Sequence, residues 1–171
     1  MIKKERPVAV YSSGLTRARE TAKLIAKVCR RRVIVDDRLN EVSFGRWEGA
    51  KHHEIHIKFP EASRNWYRAL WSSRPPGGES LRSLGRRVSE FMTELKAKFL
   101  DHSRPCVLVT HGGTIRMFLI QILNVTPEIF WGLRVDPASV SMIDITAKRK
   151  EVVLLNSQIH LNGLKRGGKV E

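Results

Sequence analysis

His111 ends a run of β-branched and apolar residues, Cys106 to Thr110, and is followed by Gly112-Gly113 and an apolar stretch from Thr114 to Leu123. A short run of this kind stopped by glycines reads as a buried parallel strand, and the stretch after it reads as a buried helix. One imidazole is thereby placed beside a glycine turn that lets backbone N–H groups approach an anion. The first turn of the helix adds unpaired amides and a partial positive charge. Arg17 follows another strand-like run, Val8-Ala9-Val10-Tyr11, through the turn Ser12-Ser13-Gly14, and its guanidinium offers paired donors that match phosphate. Glu41 lies between apolar neighbours in Leu39-Asn40-Glu41-Val42, a setting that suits it to donate a proton. The set could grip a phosphate through Arg17, His111 and Gly112, with Glu41 and His111 as the catalytic residues. Each has a plainer role as well: a hydrogen-bonded histidine at a strand end, a surface arginine, a capping glutamate. Their recurrence after successive strands favours the functional reading, because the carboxyl ends of strands in an α/β sheet open into one crevice.

Alternating elements supply that crevice. A helix from Leu15 to Cys29 puts Leu15, Ala18, Ala22, Ile25, Ala26 and Cys29 on its inner face, and a second strand follows at Val33-Ile34-Val35. After the loop Asp36 to Gly49, Lys51 to Leu70 is helical in pattern but interrupted at Pro60, with Trp66, Tyr67 and Trp71 as a bulky side expected to pack. Pro75-Pro76-Gly77-Gly78 breaks the chain, and Ser80 is placed to cap an amphipathic helix from Leu81 to Leu100. Strands at Val140 to Ile145 and Glu151 to Leu155 read as a hairpin. The pattern predicts an α/β three-layer sandwich: a mainly parallel sheet, helices on both faces and an antiparallel edge. With 171 residues, 42% of them apolar, the chain has length for one domain, expected over residues 1–163, and the Gly- and Lys-rich residues 164–171 read as a disordered tail.

Lysine and arginine number 31 against 17 aspartate and glutamate, a net charge of +14 that draws anionic partners. The basic residues are scattered through every segment with no nucleic-acid-binding motif among them, so a small phosphorylated metabolite is the expected partner and nucleic acid is not. No apolar run approaches a membrane span and the first seven residues lack a secretory apolar stretch, so a cytoplasmic protein without a membrane association is expected. Cys29 and Cys106 have no metal-ligand spacing and read as reduced thiols. His52 and His56 share a helical face, yet solvent exposure is the ordinary outcome for such a pair; no metal and no cofactor are expected.

Tyr11 to Ala22 (Tyr-Ser-Ser-Gly-Leu-Thr-Arg-Ala-Arg-Glu-Thr-Ala), Leu39 to Gly49, Pro75 to Leu81 and Val109 to Gly113, with a weaker match at Leu155 to Leu161, occur in the order found in the histidine phosphatase superfamily, the phosphoglycerate-mutase-like enzymes, which the chain resembles. Leu-Asn-Glu with Phe-Gly-Arg-Trp-Glu-Gly, and Phe130 to Asp136, look most like α-ribazole phosphatases of cobalamin synthesis. The resemblance implies phosphomonoester hydrolysis through a phosphohistidine, with His111 and Arg17 holding the transferring oxygens and Glu41 protonating the leaving alkoxide and then activating water. A phosphoglycerate mutase shares much of this pattern. The family's nucleophile lies in an Arg-His-Gly motif on its first strand, and the 171 residues contain no Arg-His-Gly. The sequence therefore leads us to expect an N-terminally truncated domain missing its first central strand, with a gap between the Tyr-Ser-Ser strand and the His111 strand. A catalytically inactive pseudophosphatase that binds phosphorylated ligands or a protein partner is the alternative this absence raises.

Overall fold

The computed structural model describes residues 2 and 4–162 of the chain, so the expected tail 164–171 lies outside the described residues. The strand β1 (Ala9–Ser12) is buried along its whole length between two layers of helices, with Val10 toward one layer and Ala9 and Tyr11 in the core of the other. It is the middle strand of three, paired in parallel with β2 (Val33–Val35) on one side and β3 (Cys106–Val109) on the other. Helix α1 (Thr16–Cys29) covers one face, where Ala22 and Ala26 let its backbone sit close over Val10, Val33, Val107 and Val109. The other face carries α4 (Leu81–Phe99) and α5 (Gly112–Leu123), whose Leu84, Val88, Phe91, Met117 and Phe118 form the larger core with Ala9, Tyr11 and Leu108. Helices on both faces give the three-layer α/β arrangement expected from the alternation of elements.

The expected gap between the Tyr-Ser-Ser strand and the His111 strand is not there. Ala9, Val10, Tyr11 and Ser12 lie in register with Cys106, Val107, Leu108 and Val109, so β1 and β3 satisfy each other's backbone groups directly. The antiparallel hairpin of β4 (Val140–Ile145) and β5 (Lys150–Ser157) forms a ladder of its own among the described residues, with Ile143 and Ile145 packed on the larger core.

Between β2 and α4 the chain makes α2 (His52–Lys58) and α3 (Pro60–Arg68), divided where Pro60 opens the second helix. Trp66 is buried there, edge-on to Trp47 and Phe44, and so packs as its type predicted. The Pro75 to Gly78 stretch is a clamp. Arg46 N donates to Pro76 O and Glu79 N to Ser43 O, both at 2.9 Å, while Gly45 takes a left-handed φ of +52° against the Gly77-Gly78 backbone. A side chain at Gly45 would collide there, which explains a glycine at this place. Among the described residues no helix is long and apolar enough to cross a membrane.

Candidate active site

Beyond β3 the backbone stays extended through His111, which caps α5 and accepts from Ile115 N at 2.9 Å. Its ring is only 8% exposed and both nitrogens are engaged. Arg17 Nε lies 3.2 Å from Nδ1, and Ser13 Oγ lies 2.6 Å from Nε2. A guanidinium donates and never accepts, so Nδ1 presents a lone pair and the ring proton sits on Nε2, which donates to Ser13 Oγ. Burial, then the Arg17 charge, holds the His111 pKa below the ordinary imidazole value, with Glu41 opposing them, and this favours the neutral ring that the hydrogen bonds require. Arg17 is presented by the first turn of α1. The approach to that turn is tied by Leu15 N donating to Ser13 Oγ at 3.3 Å and Gly14 N to Asn40 Oδ1 at 2.8 Å.

Glu41 reaches the same place from the loop after β2. Its Oε1 accepts from Val42 N at 2.9 Å and its Oε2 from Gly113 N at 3.2 Å. Gly113 has no room for a side chain, since a Cβ there would run into the Glu41 carboxyl and come within 3.0 Å of Val42 Cγ1. Two threonines flanking the histidine hold the loop: Thr110 Oγ1 donates to Leu39 O at 2.6 Å and Thr114 Oγ1 to Asn40 O at 2.7 Å. Arg87, on α4, fastens it from outside through donation to Arg38 O at 2.6 Å and Glu41 O at 3.2 Å, while its fork grips Glu79 at 3.1 Å from both Nε and Nη2.

Arg17, Glu41 and His111, named from sequence, thus converge on one turn, and Gly112 stands beside them as the first residue of α5. Of the two glycines, it is Gly113 whose amide binds the Glu41 carboxylate. Sequence reasoning passed over Ser13, Asn40, Thr110, Thr114 and Arg87; a hydroxyl residue on each side of His-Gly-Gly was the one visible signal. His52 and His56 stay exposed on α2, bonded to Tyr67 and Ser63 respectively, and among the described residues no cluster of three or more His, Cys, Asp or Glu could hold a metal. The arrangement offers a permanent cation, an imidazole N–H and the amino ends of α1 and α5, all donors suited to an oxyanion, with one carboxylate alongside.

The family model described as histidine phosphatase superfamily (branch 1) matches residues 1–158. Phosphoserine phosphatase 1 of Hydrogenobacter thermophilus is 32% identical over 160 residues, 94% of this chain and 75% of that protein. The adenosylcobalamin/alpha-ribazole phosphatase of Escherichia coli is 29% identical over 87% of this chain and 72% of its own length. The crystal structure of a putative alpha-ribazole-5'-P phosphatase from Escherichia coli superposes with a TM-score of 0.79 at 26% identity, covering 91% of this chain and 79% of that one. With residues 1–158 matched and the turn at His111 bringing Arg17 and Glu41 together, the chain belongs to the histidine phosphatase superfamily.

Proposed function

We propose that the protein is a phosphomonoester hydrolase acting through a phosphohistidine intermediate in the cytoplasm. The observation that carries this reading is the meeting of Arg17, His111 and Glu41 at a single glycine turn. A phosphate dianion entering beside Ser13 takes the His111 Nε2–H and the Arg17 guanidinium as donors. Drawing Arg17 off Nδ1 leaves that nitrogen able to bind a proton, so the ring donates with a full charge. Equatorial oxygens carry the developing charge during phosphoryl transfer, and these donors stand ready for them. As the P–N bond to the nucleophilic histidine forms and the P–O bond breaks, Glu41 gives its proton to the departing alkoxide. In the second half it takes a proton from the water that cleaves the P–N bond. The 171 residues supply the grip and the acid–base group; none of their histidines stands in an Arg-His-Gly.

The leaving group in this reading is α-ribazole. Its support is the Leu-Asn-Glu and Phe-Gly-Arg-Trp-Glu-Gly pattern and the similarity to the Escherichia coli alpha-ribazole phosphatase. The test is hydrolysis of p-nitrophenyl phosphate and α-ribazole 5'-phosphate by the 171-residue chain and by the protein isolated from its natural source. Rapid quenching should trap an acid-labile, base-stable phosphoprotein. His111→Ala and Glu41→Gln should each reduce turnover by about 10²-fold or more. Turnover that survives His111→Ala, or none from either preparation, would sink the proposal.

A further inference from the structure

A second concavity of about 330 Å³ lies between the end of α3 and the turn after α5, lined on one side by Tyr67, Arg68 and Trp71 and on the other by Pro127, Glu128 and Trp131. Trp71 packs on the larger core, whereas the other two rings are only partly covered: Tyr67 is 51% exposed and Trp131 47%. Trp131 is nevertheless held in place. It makes a T-shaped contact with the fully buried Phe130 at 5.0 Å between centroids, and the Arg116 guanidinium stands 5.5 Å from its ring centre. Arg116 connects this cleft to the turn that carries His111. Its Nε donates to Leu133 O at 2.7 Å, and its Nη1 lies 3.4 Å from where a Cβ on Gly112 would stand.

We infer that this cleft is the leaving-group subsite of the proposed phosphatase and that it takes a planar aromatic or heteroaromatic group. The inference rests on the phosphomonoesterase reading. Three properties select that class. The volume falls in the range of ligand pockets and accommodates a ring system, more than a three-carbon acid fills. Three of the lining residues are aromatic; Tyr67 stacks on His56 and Trp131 carries the Arg116 guanidinium, and the half-exposed remainder of each ring is the surface on which a flat ring would stack. Its charged lining residues are one arginine and one glutamate, Arg68 and Glu128, which cancel and offer no net attraction to a second anionic group such as a carboxylate or further phosphate. A small charged ester such as phosphoserine would leave these rings uncovered.

Non-hydrolysable phosphonates test this without depending on turnover. Calorimetric titration of the full chain with 1-naphthylmethylphosphonate, methylphosphonate and 2-amino-4-phosphonobutanoate compares an aromatic, a minimal and a charged group on one headgroup. The naphthyl compound should bind at least tenfold more tightly than either of the others. In Trp131→Ala, and independently in Tyr67→Ala, each checked for an intact fold by circular dichroism, that ratio should fall below threefold. Affinities within threefold of one another in the native chain, or a ratio that survives both substitutions, would overturn the subsite while leaving the phosphate site standing. Methylphosphonate that fails to bind, or binds equally to His111→Ala, would overturn the phosphatase reading and the subsite with it.

Discussion

The neutral state of His111 follows from its burial and then from the Arg17 charge, and it has a consequence for stability. Its folded pKa lies below the unfolded value, so between the two values the unfolded chain binds the extra proton. The sign follows: the contribution is present in full above the ordinary imidazole value near 6.5 and declines as pH falls through that value toward the lower folded one. Urea unfolding of the native chain should show a midpoint falling between pH 7.5 and 5.5, and His111→Gln should flatten that slope; equal slopes would contradict the assignment. This residue, Arg17 and Glu41 were legible in the sequence because the three recur after successive strand-like runs, although each alone has a plainer use. Ser13 was not, since a serine in a Ser-Ser-Gly turn is commonplace. Its value comes from a contact with a residue 98 positions away, and long-range contacts leave no periodic trace in a sequence.

Elements were legible to within a residue or two wherever a hydrophobic period or a breaker marked them: Pro60 splits α2 from α3, and Ser80 caps α4 by accepting from Ser83 N at 3.2 Å. Strand neighbours were not legible, because the parallel pairing of β1 with β3 joins segments almost a hundred residues apart. The expected gap between them arose from the family pattern, and register alone corrects it. The loop bearing Glu41 shows the same limit. Its anchor, Arg87, reads from sequence as one more arginine on an amphipathic helix, yet it ties α4 to Arg38, Glu41 and Glu79 with its side chain only 18% exposed. Arg87→Ala would leave those partners short of donors and should lower stability by about 2 kcal/mol. Arg87→Lys keeps the charge but lacks the fork, so it should recover only part of that loss. Hydrogen exchange across 38–43 should quicken in both variants, and more in alanine. Unchanged exchange in Arg87→Ala would show that the loop's other ties, from Thr110, Thr114, Gly14 and Gly113, hold it without Arg87.

At the scale of the whole molecule a net charge of +14 acts on two observables in opposite directions. Scattered like charges repel one another in the compact state, and the same summed field draws a phosphate dianion toward a site that already contains Arg17 and, close by, Arg87 and Arg116. Both effects extend only as far as the Debye length, which shrinks from about 30 Å at 0.01 M salt to about 10 Å at 0.1 M and about 3 Å at 1 M. Raising sodium chloride from 0.01 to 0.5 M should therefore raise the thermal midpoint, as self-repulsion is screened, while weakening phosphate binding by about tenfold. The part of the affinity that comes from direct hydrogen bonds to Arg17 and His111 operates at contact distance and should persist at high salt. A plot of log affinity against log salt should then level off at a finite value. Affinity that is flat across the whole range would show that the net charge does not reach the site. Affinity that vanishes at high salt would mean that no preorganised donors lie behind the field.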